Sequence, residues 1–304
     1  MREKTLYIGQ EVSLENASDV LHHMLGVEVS DTTIHREIEC YGAKAEQWIE
    51  AIRQEDKALT IESHEVVYCE ADASMILTRE KGWKEVKLGR VFRSDSILDD
   101  RSEGCKIKDS TYIGRLGTHL EFINEMDQTL KKFVPLKDRL IFISDGAPWI
   151  KNWVNDIYPE ATQILDYFHA VEHLGTMAEH ITSENSKEWL KRYAEMLLKE
   201  GVDQTITALK HMPIRSKDGK RCKEKLLHYF EVNAYRMDYP AYDKLGYYIG
   251  SGAIESAHRT VVQKRLKLSG QRWTIGGAQR VLNLRVINMS GNWDIVRDEL
   301  RKVA

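Results

Sequence analysis

The sequence predicts a mixed α/β protein. Three observations point there. A period-two alternation of apolar residues sets in after residue 64. The apolar run Arg139-Leu-Ile-Phe-Ile-Ser144 reads as a strand buried on both faces, as parallel strands are. Residues 170–245 carry almost only helical periodicity, with Trp189, Tyr193, Met196, Leu197 and Leu226, Leu227, Phe230 as apolar stripes. The 304 residues, 42% hydrophobic and 30% charged, leave room for about two domains at roughly 150 residues each and exclude disorder as the main character.

The first 60 residues read as helix. Asn16 to Leu25 carries Val20, Leu21, Met24 and Leu25 near the 3.6 period, and Gly26 stops it. After a short turn, Ser30 and Asp31 can cap a second helix through Ile34, Ile38 and Tyr41, ending near Gly42. Two short helices joined by a tight turn make a helix-turn-helix candidate, with Thr32, Thr33, His35 and Arg36 facing outward. Paired short helices are common, and this one is acidic.

From His64 to Ile76, Val67, Cys69 and Ala71 alternate with Tyr68, Glu70 and Asp72, which predicts a first strand. Lys84–Phe92 is a second strand, Ser110–Arg115 a third, Arg139–Ser144 a fourth and Gln163–Asp166 a fifth. Thr118–Phe133 is an amphipathic helix, and Pro148 can open another after Asp145-Gly146. The Gly250-Ser-Gly252 turn leads into a helix that reaches about Lys267.

Net charge is −3, but its distribution is uneven. Residues 1–65 hold six Lys/Arg against fourteen Asp/Glu, whereas residues 256–291 hold seven Lys/Arg and no acid. A one-sign stretch is the footprint of a polyanion, or of a helix face neutralised by acids from elsewhere in the fold. No apolar run approaches the ~20 residues of a membrane span, and Met1–Thr5 leads into no apolar leader segment. Cysteines at 40, 69, 105 and 222 form no C-x-x-C, which excludes a cysteine zinc ribbon and argues against a disulfide scaffold. A cytoplasmic location is expected.

Two acids stand at or near strand ends, Asp72 and Asp145, and Glu255 falls in the first turns of the helix after Gly252. An Asp after an apolar strand is by itself a turn former. Three carboxylates together would suit hard divalent ions, which take oxygen ligands and bridge to phosphate. Two such ions are the minimal set for in-line phosphodiester displacement, with the attacking oxygen activated on one side and the leaving oxygen steadied on the other.

Six runs, in this order, carry a family likeness: Tyr68-Cys-Glu-Ala-Asp-Ala-Ser74, Trp83–Phe92, Ser144-Asp-Gly-Ala-Pro-Trp-Ile150, Gln163–Leu174, Gly250-Ser-Gly-Ala-Ile-Glu-Ser256 and Arg265–Thr274. Over roughly residues 15–295 the chain resembles bacterial insertion-sequence transposases of the ISKra type. The resemblance implies a ribonuclease-H-like mixed sheet flanked by helices, with an Asp-Asp-Glu triad matched by Asp72, Asp145 and Glu255. It implies two Mg²⁺ (or Mn²⁺) ions on those carboxylates, and a helical insertion within the 110 residues from Asp145 to Glu255. Asp166-Tyr-Phe-His169 resembles the Asp-x-x-His signature of related transposases, which gives Asp166 and His169 a metal-supporting or DNA-positioning role. Family members carry more residues before the helix pair, so a shortened copy is expected.

The expected divisions are a helix-turn-helix-like segment at 1–62, a catalytic core at 63–169 and 246–304, and a helical insertion at 170–245. Arg259, Lys264, Arg265, Lys267, Arg272 and Trp273 are the expected DNA contacts, with Lys and Arg on phosphates and Trp273 on an unpaired end, unless Trp273 packs in the core. The expected activity is metal-dependent DNA cleavage to a 3′-hydroxyl followed by strand transfer, by a homodimer or higher oligomer on transposon ends and target DNA. Two other readings fit some of the same residues. One is a DNA-binding repressor or remnant without cleavage. The other is a zinc hydrolase, because His169-Ala-Val-Glu172-His173 spells H-x-x-E-H with both His on one helix face.

Overall fold

The computed structural model describes residues 1–54, 65–100, 104–181 and 185–302. The chain begins with α1 (Arg2–Glu11), α2 (Leu14–Leu25) and α3 (Asp31–Gln54). The Ser13 hydroxyl caps α2 by accepting the Asn16 N–H, and Gly26, at φ 65°, ends it in the left-handed region that favours glycine. The alternating segment becomes β1 (Val67–Thr78) and β2 (Gly82–Arg93), followed by a small hairpin of β3 (Ile97–Asp100) and β4 (Gly104–Ile107), then β5 (Thr111–Arg115). A reciprocal capping box between Thr118 and Glu121 starts α4 (His119–Leu130).

The apolar run is β6 (Leu140–Ser144), every residue of it buried. Pro148 opens α5 (Pro148–Ile157), and β7 (Thr162–Leu165) follows. Next come α6 (Tyr167–Ala178), α7 (Ser186–Lys199), α8 (Val202–His211), α9 (Lys217–Asn233) and α10 (Tyr239–Lys244). The last section is α11 (Gly252–Ala257), a π-helical stretch His258–Gln263, α12 (Lys264–Leu266), α13 (Ile275–Met289) and α14 (Trp293–Lys302). The architecture is therefore mixed α/β with both antiparallel and parallel strand pairs.

Two compact units are present. The first is Met1–Arg139 with Ala253–Ala304, and the second is Leu140–Gly252. This differs from the expected divisions. The N-terminal helices do not form a segment of their own, because Leu6, Leu21, Ile34, Ile38 and Tyr41 share one apolar core with Val281, Leu282 and Val296. The expected boundary at 62/63 and the strand start at His64 lie outside the described residues.

In the first unit β2 lies between β1 and β5, both antiparallel to it. In β1, Glu70 sits opposite Arg90 and Asp72 opposite Leu88. In the second unit β6 and β7 pair in parallel, Ser144 opposite Leu165, with α5 as the crossover that parallel strands need.

The helix expected to end near Gly42 runs twelve residues further, to Gln54. Gly42 is not a stop signal but a point of close approach: a Cβ there would lie 2.6 Å from both Cβ and the carbonyl oxygen of Arg280 on α13. Asn283 Nδ2 donates to the Gly42 carbonyl at 3.1 Å across the same contact. Gly42→Ala is expected to force the two helices apart and to destabilise the first unit by about 1–3 kcal/mol. The midpoint of urea unfolding measures it, and an unchanged midpoint contradicts this packing.

The uneven charge has a structural outcome. Arg285 is fully buried; its guanidinium donates to the carbonyls of Gln10, Val261 and Thr260 and lies 3.5 Å from Glu11. Lys264 pairs with Glu11 at 2.7 Å, and Arg280 pairs with Glu39. Part of the basic stretch is thus neutralised by acids of α1 and α3. Among the described residues no helix is long and apolar enough to cross a membrane.

Candidate active site

The expected acids fall in both units: Asp72 and Glu255 in the first, Asp145 in the second. Asp72 lies in mid-β1 with its side chain 36% exposed, and Oδ1 accepts the N–H of Ala73 at 2.7 Å. Glu70, two residues earlier and fully buried, faces the same side of the strand. Glu255 is exposed on α11, which runs straight into the π-helical stretch. π-Turns cluster at functional sites because they re-aim side chains within a helix.

Three residues after Glu255, the buried His258 brings Nε2 to 3.5 Å from Asp72 Oδ2. Burial lowers the His258 pKa and the Asp72 charge works against it, with the net direction downward. The helix is held a second time near its start: Arg90 Nη1 donates to the Ala253 carbonyl at 2.8 Å, while Nε donates to Ser110 at 2.9 Å. So β1 and β2 both grip the segment that carries Glu255. Sequence reasoning missed His258 and Arg90. The available signals were a histidine one turn after the candidate glutamate and an arginine within the apolar end of the second strand, Leu88-Gly-Arg-Val-Phe92.

Oxygen donors on Asp72 and Glu255, both open to solvent in part, suit a hard divalent cation. Among the described residues no group of three or more His, Cys, Asp or Glu side chains is gathered to hold a metal ion. That is compatible with magnesium, which keeps several waters and takes one or two carboxylates plus substrate phosphates in place of an all-protein cage.

In the second unit Asp145 follows β6 in a turn. Its Oδ1 accepts the Ala147 N–H at 3.0 Å, and Gly146 adopts φ 100°, which only glycine takes without strain. The Tyr229 hydroxyl donates to the Asp145 carbonyl at 3.1 Å, and burial together with Asp145 and Asp166 raises the Tyr229 pKa, so the hydroxyl stays a donor. Asp166 is buried, caps α6 through the Phe168 N–H at 2.9 Å and accepts the Ser251 hydroxyl. Its carboxylate therefore fixes the loop ahead of α11 to the start of α6.

His169 pairs with Glu172 at 3.3 Å, and His173 stacks on Tyr229 with centroids 4.0 Å apart. The His173 pKa is lowered, by burial first and the neighbouring His169 second, against the opposing Glu172. A lowered pKa means His173 stabilises the fold above about pH 6.5 and that this contribution is lost as pH falls through the folded value. Acidification from pH 7.5 to 5.5 is expected to lower the unfolding midpoint of the second unit. His173→Gln is expected to flatten that dependence; a dependence of equal slope in the variant contradicts it.

The expected DNA contacts divide. Arg259, Lys267 and Arg272 are exposed, and Lys264 is exposed while paired with Glu11. Arg265 departs from expectation. It is 2% exposed, because Nε donates to the Gly9 carbonyl at 3.1 Å and the guanidinium lies 5.0 Å from the Trp273 ring centre. Trp273 is half-buried against the core and donates Nε1–H to the Leu266 carbonyl at 3.1 Å. No protein-family model matches the chain, and no curated protein matches it.

Proposed function

We propose that this chain is a metal-dependent DNA transposase with a ribonuclease-H-like core, acting through Asp72, Asp145 and Glu255. The observation that carries the reading is the His258–Asp72 approach at 3.5 Å, which keeps the Glu255 segment on the strand of Asp72. Asp145 joins the set on its sequence motif alone. Asp72 and Glu255 would hold magnesium or manganese, two ions in the full reaction. Bound there, the metal supplies activation of an attacking oxygen and charge stabilisation on the leaving one.

The chain's own residues orient and bind. His258 lies against Asp72 and Arg90 holds the start of the helix that carries Glu255, while Tyr229 and Asp166 hold the turn of Asp145 and the loop at Ser251. Exposed Arg259, Lys267 and Arg272 would contact phosphates without reading bases. Thr32, Thr33, His35 and Arg36, all exposed, would make α2–α3 a helix-turn-helix that touches DNA. Water attack would leave a 3′-hydroxyl, which then attacks target DNA on a homodimer or higher oligomer.

The test is nicking of supercoiled plasmid with Mg²⁺ or Mn²⁺ against EDTA. Metal-dependent nicks ending in 3′-hydroxyls are expected. DNA binding without nicks would instead indicate a repressor or remnant. Stoichiometric zinc that is lost in His169→Ala would indicate a hydrolase built on His169, Glu172 and His173.

A further inference from the structure

The loop after α12 closes over a cavity whose chemistry is unlike a core. It is zipped to the end of β1: the Trp273 N–H donates to the Leu77 carbonyl at 3.2 Å, the Arg79 N–H to the Trp273 carbonyl at 2.8 Å, and Arg79 Nε to the Arg272 carbonyl at 3.1 Å. Behind this loop lies a space of about 310 Å³, at the lower end of the ~300–1,000 Å³ typical of small-ligand sites. Its lining includes the apolar Leu14, Ile38 and Val281 together with Arg79, Arg265 and Arg272.

Arg265 is the unusual member. A buried charge is costly unless a counter-charge compensates it, yet among the described residues no carboxylate pairs with Arg265. Its partners are neutral: the Gly9 carbonyl, the Trp273 face and the Gln271 amide, whose oxygen in its favoured orientation accepts from Nη1 at 3.2 Å. Burial and nearby Arg285 push its pKa down to about 10, so it remains a cation at neutral pH. Glu39, the one acid lining the described cavity, is taken up by Arg280, and Glu11 by Lys264 and Arg285. The lining thus combines apolar side chains with three arginines and an unmet need for negative charge.

We infer that this cavity binds one nucleotide, its phosphate on Arg79, Arg265 and Arg272 and its base against Leu14, Ile38 and Val281. Guanidinium forks match phosphate oxygens two at a time, and the apolar side chains offer a base the desolvated surface it lacks in water. The nucleotide is either free or a single residue of a DNA strand. Only the second source rests on the reading of the chain as a DNA enzyme.

The test is titration calorimetry of the full chain in EDTA with deoxyadenosine monophosphate and, separately, a short single-stranded oligonucleotide. The comparison is the double variant Arg79→Ala/Arg272→Ala, two exposed side chains. Binding that drops at least tenfold in the double variant is expected. For the oligonucleotide, the salt slope should also fall by about 0.7 for each phosphate no longer neutralised. If the mononucleotide binds, the source is a free nucleotide; if only the oligonucleotide binds, the pocket takes a nucleotide within a strand. Should thermal melting of the double variant fall, Arg272→Ala alone serves, since its side chain makes no described bond. No binding of either probe, or equal binding by wild type and variant, overturns the inference. Because EDTA removes any metal dependence, failure here leaves plasmid nicking intact, and failure of nicking leaves this binding intact.

Discussion

Asp72→Asn is expected to reduce metal-dependent DNA nicking by on the order of 10³-fold or more while the chain stays folded. Asparagine keeps the size and the Oδ1 acceptor that meets the Ala73 N–H. What it removes is the negative charge, and with it most of the affinity for a hard cation. Because Asp72 is partly exposed at 36%, loss of its charge leaves no large buried polar deficit, so the melting temperature should hardly move. Glu255→Gln should match it in activity, and the double variant should lose little more than either single change, since groups that act as a unit are not additive. Residual nicking at the wild-type rate in Asp72→Asn, with the fold intact by circular dichroism, removes Asp72 from the chemistry.

Arg285→Met is expected to have the largest effect on stability in the first unit. Methionine fills much of the volume but donates nothing. The carbonyls of Gln10, Val261 and Thr260 would lose a charged donor inside the core, and Glu11 would keep Lys264 as its one cation among the described residues, beside the amides of Gln10 and Asn288. Removing one partner from a buried charged network costs about 3–5 kcal/mol, far beyond a surface ion pair. For a unit of this size that is on the order of 10 °C in melting temperature. The loss should show as detachment of α1, read by faster amide exchange across Arg2–Glu11. A drop below about 1 kcal/mol would mean water or another donor replaces the guanidinium.

Much of the strand order was legible in the sequence, because period-two alternation and an unbroken apolar run are local signals. Val67–Thr78, Leu140–Ser144 and Thr162–Leu165 fall within a few residues of where the pattern places them. The small β3–β4 hairpin was not legible: its four-residue strands are too short to show a period. Gly42 was misread as a stop because a sequence cannot tell a helix C-cap from a helix–helix crossing, and only the nearness of Arg280 decides it. The basic stretch was ambiguous for a related reason. Its acidic partners, Glu11 and Glu39, are more than 240 positions away in the chain, so long-range pairing alone decides that Arg285 is buried beside an acid and that the half-exposed Arg280 is paired with one. Asp72 and Glu255 are candidates on residue type and setting alone, whereas His258, which links their elements, carried no pattern of its own.

The most direct measurement is the anomalous scattering of manganese in crystals of the full chain, grown with Mn²⁺ in the presence and absence of a DNA duplex. A peak within coordination distance of the Asp72 and Glu255 carboxylates is expected, strengthened by DNA phosphate. Manganese held by His169 and His173, or no peak at Asp72 and Glu255 under either condition, would contradict the account.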